Sequence, residues 1–203
     1  GTTDVVGLLR RLRDDATLRF RDREELLAVT RAAVERAQAE APRWFGRTPR
    51  AAVRVQEYPE FRRGSNPAAS YTPDWSTGSL AGIYFINAFA PERETRARVE
   101  STAFHETIPG HHFQIALALE QGEASRLGKY VGNSGFVEGW ALYAERLADE
   151  MGLFSSDVYR FGMLSSEAFR AARLVVDSGL NFLGWPRQRA IDYLVANAGT
   201  EPS

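Results

Sequence analysis

The chain of 203 residues is 44% hydrophobic, enough to bury a substantial core, and its length is most simply explained by one domain. Its 25 basic and 26 acidic residues nearly cancel to a net charge of −1, which argues against nucleic acid and against an anionic membrane as partners. Cysteine is absent, so disulfides, thiolate ligands and cysteine nucleophiles are excluded, and any metal must be held by nitrogen and oxygen atoms.

The first part of the chain predicts two helices followed by a short strand. Residues 3 to about 15 form the first helix. The second helix opens at Asp22, because Asp22 and Glu25 have the spacing of a capping box, and it ends before Pro42. Valines alternate with polar residues over 53–56, which indicates a half-buried strand.

A loop and a second strand precede a helical C-terminal half. Residues 62–78 are rich in Gly, Ser, Asn and Pro and predict a long loop, and residues 82–87 predict a strand. Later segments have helical periodicity, at about residues 94–106, 111–120, 135–151, 156–180 and 186–197. The predicted fold is mainly α with a small antiparallel or mixed β-sheet beside the helix that carries the candidate active site, and residues 1–203 are expected to form a single region.

All three histidines of the chain lie within residues 105–112, and a glutamate follows the first of them. Such clustering favours a metal site with its catalytic base. The HExxH motif of zinc peptidases places a second histidine four residues after the first, where this chain has Pro109. His105 and Glu106 are therefore the predicted first ligand and general base, but the second ligand requires an altered backbone.

Pro109 and Gly110 offer that altered backbone. In an unbroken helix, His111 would lie roughly 9 Å and His112 about 10.5 Å along the axis from His105, too far to share a metal with it. Proline removes a helical hydrogen bond and glycine permits unusual backbone angles, so the helix is predicted to break at these two residues. His111 then becomes the second ligand and His112 stabilises the oxyanion, while the reverse assignment stays open.

A carboxylate on a later helix is the expected third ligand. Glu138 and Glu145 are seven residues apart and share one helix face. Glu138 is the predicted ligand, because it stands among apolar neighbours where an unpaired carboxylate would be costly. Glu145 is predicted to orient a ligand imidazole or to pair with an arginine, with a solvated helix face as the alternative. Three tyrosines are candidate hydrogen-bond donors to the reaction intermediate, with a packing role as the alternative for each: Tyr84, Tyr130 and Tyr143.

Two stretches, HETIPGHHFQ and FVEGWALYAERL, resemble the signatures of a large, mostly bacterial family, domain of unknown function 885, which is similar to the gluzincin metallopeptidases. The stretches FGRTP, GIYFIN and RLVVDSGLNFLGW resemble the same family. The resemblance implies a mainly helical zincin-like domain, one zinc ion per chain and peptidase activity. It carries these roles onto five residues: His105, Glu106, His111, His112 and Glu138.

Two departures from the family pattern alter what we expect. Asn181 stands where members usually have a histidine, so the role of that imidazole is changed or lost. Family members are also much longer, so the chain resembles a central-to-C-terminal fragment whose cleft is completed by a flanking region or a partner chain. The chain starts at Gly1 rather than methionine and has no signal-peptide or membrane-spanning pattern, so its location stays open, with the cytoplasm favoured.

Three functional hypotheses follow, in order of preference. The first is zinc-dependent hydrolysis of peptide or other amide bonds, in which Glu106 takes a proton from water and delivers it to the leaving amine, and strand 82–87 binds the substrate backbone at its edge. The second is a non-peptidase metal enzyme, although the Glu-x-x-His spacing of di-iron sites is absent from the sequence. The third is a catalytically silent or partner-dependent binding subunit.

Overall fold

The computed structural model describes residues 5–62, 68–75, 81–121 and 133–200. The helices within these ranges are α1 (Val5–Asp14), α2 (Arg23–Trp44), α3 (Val99–Glu106), α4 (His111–Glu120), α5 (Ser134–Glu150), α6 (Asp157–Asn181) and α7 (Arg187–Ala198). The strands are β1 (Val53–Glu57), β2 (Ala69–Pro73) and β3 (Gly82–Ile86). Single 3₁₀ turns occur at Ala16–Leu18, Glu60–Arg62, Pro91–Arg93 and Arg96–Arg98. The prediction of a mainly α fold with a small sheet is confirmed.

Helix α2 begins as predicted and ends later than predicted. Its cap is made by the Asp22 carboxylate, which accepts a hydrogen bond of 2.9 Å from the Glu25 amide. The predicted end before Pro42 is wrong, because a proline in the last turn removes only its own amide donor. The next turn still closes, since the Phe45 amide donates to the Ala41 carbonyl at 3.0 Å.

The three strands form a mixed sheet in the order β1-β3-β2. β1 runs parallel to β3, and β2 runs antiparallel to it. The prediction of an unbroken loop over residues 62–78 is wrong because β2 lies inside it; residues 63–67 and 76–80 lie outside the described ranges. The prediction that β3 is an edge strand is also wrong, because β3 is hydrogen-bonded on both sides. The edge strand that packs against α3 and α4 is β2.

One face of the sheet packs against the helices and forms the main core. Tyr84 of β3 lies at the centre of this face with no exposed surface, flanked by Val55 of β1 and Tyr71 of β2. Buried side chains of α2 and α3, among them Val34 and Phe104, belong to the same hydrophobic cluster. This packing holds β2 and β3 against the C-terminal half of α3, where the histidine window begins.

Among the described residues, no helix combines the length and the apolar character that crossing a bilayer requires.

Candidate metal centre

A sharp break separates α3 from α4 in the middle of the histidine window. Glu106 is the last residue of α3 and His111 is the first of α4. The Gly110 amide folds back and donates a 3.0 Å hydrogen bond to the carbonyl of Phe104. A Cβ atom at position 110 would lie 2.5 Å from that oxygen and from the carbonyl carbon of His105, so only glycine allows this approach. The helix therefore breaks between Glu106 and His111, where the predicted helices 94–106 and 111–120 left a gap, and the break includes Pro109 and Gly110 as predicted.

The loop of the break is tied to helix α5. The indole Nε1 of Trp140 donates a 2.8 Å hydrogen bond to the carbonyl of Pro109. Thr107 is fully buried, and its hydroxyl donates to the Ala103 carbonyl at 2.6 Å. These bonds fix the direction in which α4 leaves the break and bring the α5 residue Glu138 opposite both helices.

Three side chains converge at the break. One potential ligand atom from each of His105, His111 and Glu138 lies within 4.8 Å of the other two. The Glu138 carboxylate is 3.8 Å from Nε2 of His105 and 3.7 Å from Nε2 of His111. Two ligands at zinc bond lengths on a tetrahedral ion are about 3.4 Å apart. The two imidazoles and the carboxylate therefore fit one zinc ion with only small movements.

The predicted reason for choosing Glu138 was wrong. Its side chain is 67% exposed, so burial of the carboxylate does not require a metal partner. The apolar residues near Glu138 in sequence do not surround its carboxylate. Ala141 is buried on one face of α5, while Phe136 is 59% exposed on another. Glu138 instead reaches the histidines because α5 packs against α3 and α4.

His105 is held by a buried carboxylate on α5. Its Nδ1 lies 2.8 Å from Glu145, which is 3% exposed. Glu145 also accepts a hydrogen bond from the Ser101 hydroxyl and pairs through both of its oxygens with Arg170 of α6, at 2.8 and 3.1 Å. Burial alone would raise the pKa of Glu145, but the bonds to His105, Arg170 and Ser101 lower it overall. An ionised Glu145 keeps the proton of His105 on Nδ1 and leaves Nε2 free to bind a metal.

His111 is kept neutral by its surroundings. Burial, followed by the nearby His105, lowers the pKa of His111 to about 4, so the ring is uncharged near neutral pH. Its Nδ1 is buried and has no hydrogen-bond partner among the described residues. The other nitrogen, Nε2, faces Glu138. A neutral imidazole with a free Nε2 is the form that binds a divalent metal.

Glu106, the predicted general base, lies beside these residues. It is 9% exposed, and burial raises its pKa to about 7, against the opposing effect of His105. The backbone amide of Tyr71 on β2 forms a hydrogen bond to the same carboxylate. A carboxyl group with a pKa near neutrality can both accept and return a proton.

The structure places His112 away from the converging ligands. It is 1% exposed, and its Nε2 lies 2.9 Å from the carbonyl of Ala51, to which it can only donate. Its Nδ1 therefore accepts the hydrogen bond of 3.2 Å from the Tyr71 hydroxyl. A Cβ at Gly82 would lie 2.5 Å from both the His112 and Tyr71 side chains, so glycine makes room for this pair. Both nitrogens of His112 bond to protein groups in this structure, which positions it to orient Tyr71, and its predicted contact with the oxyanion stays a prediction.

The other predicted site residues lie at different distances from the centre. Tyr84 is buried beneath it, and Glu106 contributes to raising the pKa of its hydroxyl after the larger effect of burial. Tyr143 is 50% exposed and packs edge-on against Trp140. Asn181 ends α6 and bonds to the preceding helical turn. It is eleven residues beyond Arg170, about 16 Å along the helix, so the structure does not bring it to the centre. Tyr130 lies outside the described residues.

Comparisons with known proteins agree with the family resemblance. The whole chain, residues 1–203, matches the family model described as "Bacterial protein of unknown function (DUF885)". The chain belongs to this family. Among solved structures, the crystal structure of a Colwellia psychrerythraea protein described as a "putative lipoprotein" is 35% identical, with a TM-score of 0.89. The match covers 99% of this chain but 35% of that one, so the chain spans about a third of its length. A comparison with curated proteins gives no match.

Three residues at the centre were not found from the sequence. Tyr71 falls in the stretch predicted as a loop, and its role depends on the pairing of β2 with β3. Ser101 and Arg170 contact Glu145 only after α3 and α6 pack on α5. Ser101 does lie four residues before His105, on the same face of α3, which is the one local feature that could have indicated it.

Proposed function

We propose that this protein is a zinc-dependent hydrolase of peptide or other amide bonds. The observation that carries the proposal is the convergence of His105, His111 and Glu138 within 4.8 Å, with Glu106 next to the first of them in sequence. Two imidazoles and one carboxylate are the protein ligands of the gluzincin type of zinc peptidase, which leaves one position open. A zinc ion bound there would polarise the substrate carbonyl and lower the pKa of water.

Glu106 is the general base of the proposed reaction. Its carboxylate takes a proton from the attacking water and delivers it to the nitrogen of the leaving amine. Its pKa of about 7 suits both transfers. The Tyr71 amide, which forms a hydrogen bond to this carboxylate, orients it while it exchanges the proton.

Tyr71 replaces His112 as the proposed donor to the oxyanion. Burial raises the pKa of the Tyr71 phenol well above its ordinary value, so the hydroxyl keeps its proton during the reaction. In the structure this proton is directed to Nδ1 of His112, and the hydroxyl turns toward the substrate when a stronger acceptor forms there. His112 is thus a positioning residue, held by the carbonyl of Ala51.

Strand β2 takes the place of β3 as the proposed substrate-binding strand. It is paired on one side only within the described residues, and its other edge runs past α3 and α4. Tyr71 is in register with Tyr84, and the flanking hydrogen bonds to β3 involve Asp74 and Asn87. Tyr71 and Tyr84 are therefore a non-hydrogen-bonded pair of the antiparallel ladder, so the Tyr71 amide points away from β3, toward Glu106. An extended substrate can add to the same edge by strand addition.

A substitution at Glu106 tests the proposal. Glu106→Gln should retain zinc, because Glu106 is not among the proposed ligands, and should lose roughly 10²- to 10⁴-fold in kcat on a quenched-fluorescence peptide library. Glu150→Gln, an exposed carboxylate at the end of α5, is the matched control and should keep full activity. Zinc content is measured on each protein. A Glu106→Gln protein that holds zinc and hydrolyses as fast as the unmodified chain refutes the proposed base.

The exposure of Glu138 favours a second candidate function. A proposed metal ligand that is 67% exposed, in a chain spanning about a third of a solved relative, is consistent with a cleft completed by further polypeptide. In that case the protein acts as a partner-dependent subunit. Uptake of one zinc ion per chain without hydrolysis of any peptide would favour this function over an independent hydrolase.

A further inference from the structure

A pocket lies next to the candidate metal centre, between β2 and α3. Its volume is about 150 Å³. A protein cavity of about this size holds a benzene ring. Ala69 of β2 and Thr102 of α3 stand on opposite sides of it, so it lies in the cleft between the edge strand and the helix that carries Glu106. It has room for one aromatic or branched aliphatic side chain.

The chemistry of the walls is that of a site for an apolar group. Three aliphatic side chains, from α2, β3 and α3, contribute to the lining: Leu26, Ile86 and Val99. Tyr84 also borders the pocket, and its buried hydroxyl has no hydrogen-bond partner among the described residues. Apolar side chains together with a few polar groups, here including the Tyr84 hydroxyl and Thr102, are typical of pockets that bind organic ligands.

The rim of the pocket carries charges of both signs. Arg98 and Glu94 both line it. Opposite charges at one opening give no net attraction for a cation or an anion, so the rim does not favour a charged side chain. The apolar walls therefore decide what the pocket accepts.

The residues of both walls place the pocket close to Glu106. Thr102 precedes Glu106 by four residues on α3, one turn, or about 6 Å along the axis. Ala69 precedes Tyr71 by two residues on the same face of β2, about 6.7 Å along the strand, and the Tyr71 amide bonds to Glu106. An extended peptide advances about 3.3 Å per residue. A side chain in this pocket therefore belongs to a residue within two positions of the bond held at Glu106.

We infer that this pocket selects an apolar side chain, such as leucine or phenylalanine, beside the bond that the protein cleaves. The inference rests on the proposed hydrolase function and adds the substrate class to it. Selectivity arises because the side chain leaves water for the space between Ala69 and Thr102. Burial of a whole Leu or Phe side chain corresponds to roughly a 10- to 100-fold preference over glycine in kcat/KM.

A peptide library read out with the zinc-loaded protein tests this inference. The peptides carry Gly, Ala, Leu, Phe, Asp or Lys at each of the two positions on either side of the cleaved bond. Leu and Phe should be preferred at one position by roughly 10- to 100-fold over Gly. Ala69→Leu, which fills the pocket, should reduce that preference to about threefold or less, measured as the ratio of kcat/KM for the Leu and Gly peptides within the same variant. Thr72→Leu, on the opposite face of β2, is the control and should keep the preference.

The possible outcomes separate this inference from the proposed function. Hydrolysis without an apolar preference, or with a preference that Ala69→Leu leaves intact, overturns the pocket and leaves the hydrolase standing. Absence of hydrolysis by a protein that has bound zinc overturns both. Should Ala69→Leu fail to fold by circular dichroism, Thr102→Leu fills the pocket from the helix side and must reduce the preference in the same way.

Discussion

The close approach of Gly110 to α3 predicts a large effect for the smallest possible substitution. In Gly110→Ala, the new Cβ would overlap the carbonyl oxygen of His105 and would lie 2.5 Å from the carbonyl oxygen of Phe104, whereas such contacts essentially never fall below 3.0 Å. The backbone of the last turn of α3 must therefore move by about 1 Å, which typically costs 1–3 kcal/mol. This turn carries His105, and displacement of about 0.5 Å is enough to disrupt a preorganised site.

The assay compares this variant with an alanine at another glycine near the centre. A Cβ at Gly139 of α5 meets no atom within 4 Å, so Gly139→Ala should stabilise the helix by about 0.5–1 kcal/mol. Urea unfolding of the metal-free proteins measures the free energy of unfolding, and a competition titration measures zinc affinity. Gly110→Ala should lose stability and at least tenfold in affinity. Equal stability of Gly110→Ala and the unmodified chain would refute the proposed geometry of the break.

Three further predictions concern the residues that support the centre. Glu145→Gln removes the negative charge that bonds to both Arg170 and His105, so zinc affinity measured by isothermal titration should fall roughly 10- to 100-fold. The control, Glu150→Gln, should keep the affinity of the unmodified chain. Equal affinities of Glu145→Gln and the unmodified chain would contradict the assigned role of Glu145. Tyr71→Phe should lower kcat by roughly 10²-fold with zinc content unchanged, the usual loss for one oxyanion donor. His112→Gln should show a smaller decrease in kcat, because it acts only through Tyr71; a larger loss in His112→Gln than in Tyr71→Phe would reverse these roles.

The elements that the sequence predicted well are those with a strong local pattern. The apolar stripe of α2, which includes Leu26, Leu27 and Val34, is buried as its periodicity indicated. Helix α5 ends beside Gly152, whose positive φ of 69° requires glycine. Such patterns lie within a few residues of chain, so they are readable without knowledge of the packing.

Strand β2 could not be predicted in the same way. Ala69, Ser70 and Thr72 have little hydrophobic contrast, and the surrounding Gly, Ser, Asn and Pro indicate a loop. β2 exists because it pairs with β3, a contact between residues that are distant in sequence. For the same reason, the central position of β3 was invisible in the sequence.

The candidate site was predictable only in part. The approach of His111 to His105 follows from a break that Pro109 and Gly110 encode locally. The different surroundings of His111 and His112 could not be deduced, because they depend on contacts with Ala51 and Tyr71 that form only in the folded chain. Local sequence thus predicts which residues can bind a metal, and tertiary packing decides which of them converge.

The most direct test of the metal centre is a zinc titration of the unmodified chain, His111→Gln and His112→Gln, with metal content measured after dialysis. The unmodified chain should bind one zinc ion, His111→Gln should lose most of this affinity, and His112→Gln should retain it, because its nitrogens bond to Tyr71 and Ala51. Loss of zinc in His112→Gln with retention in His111→Gln, or no zinc uptake by the unmodified chain, would contradict the proposed centre.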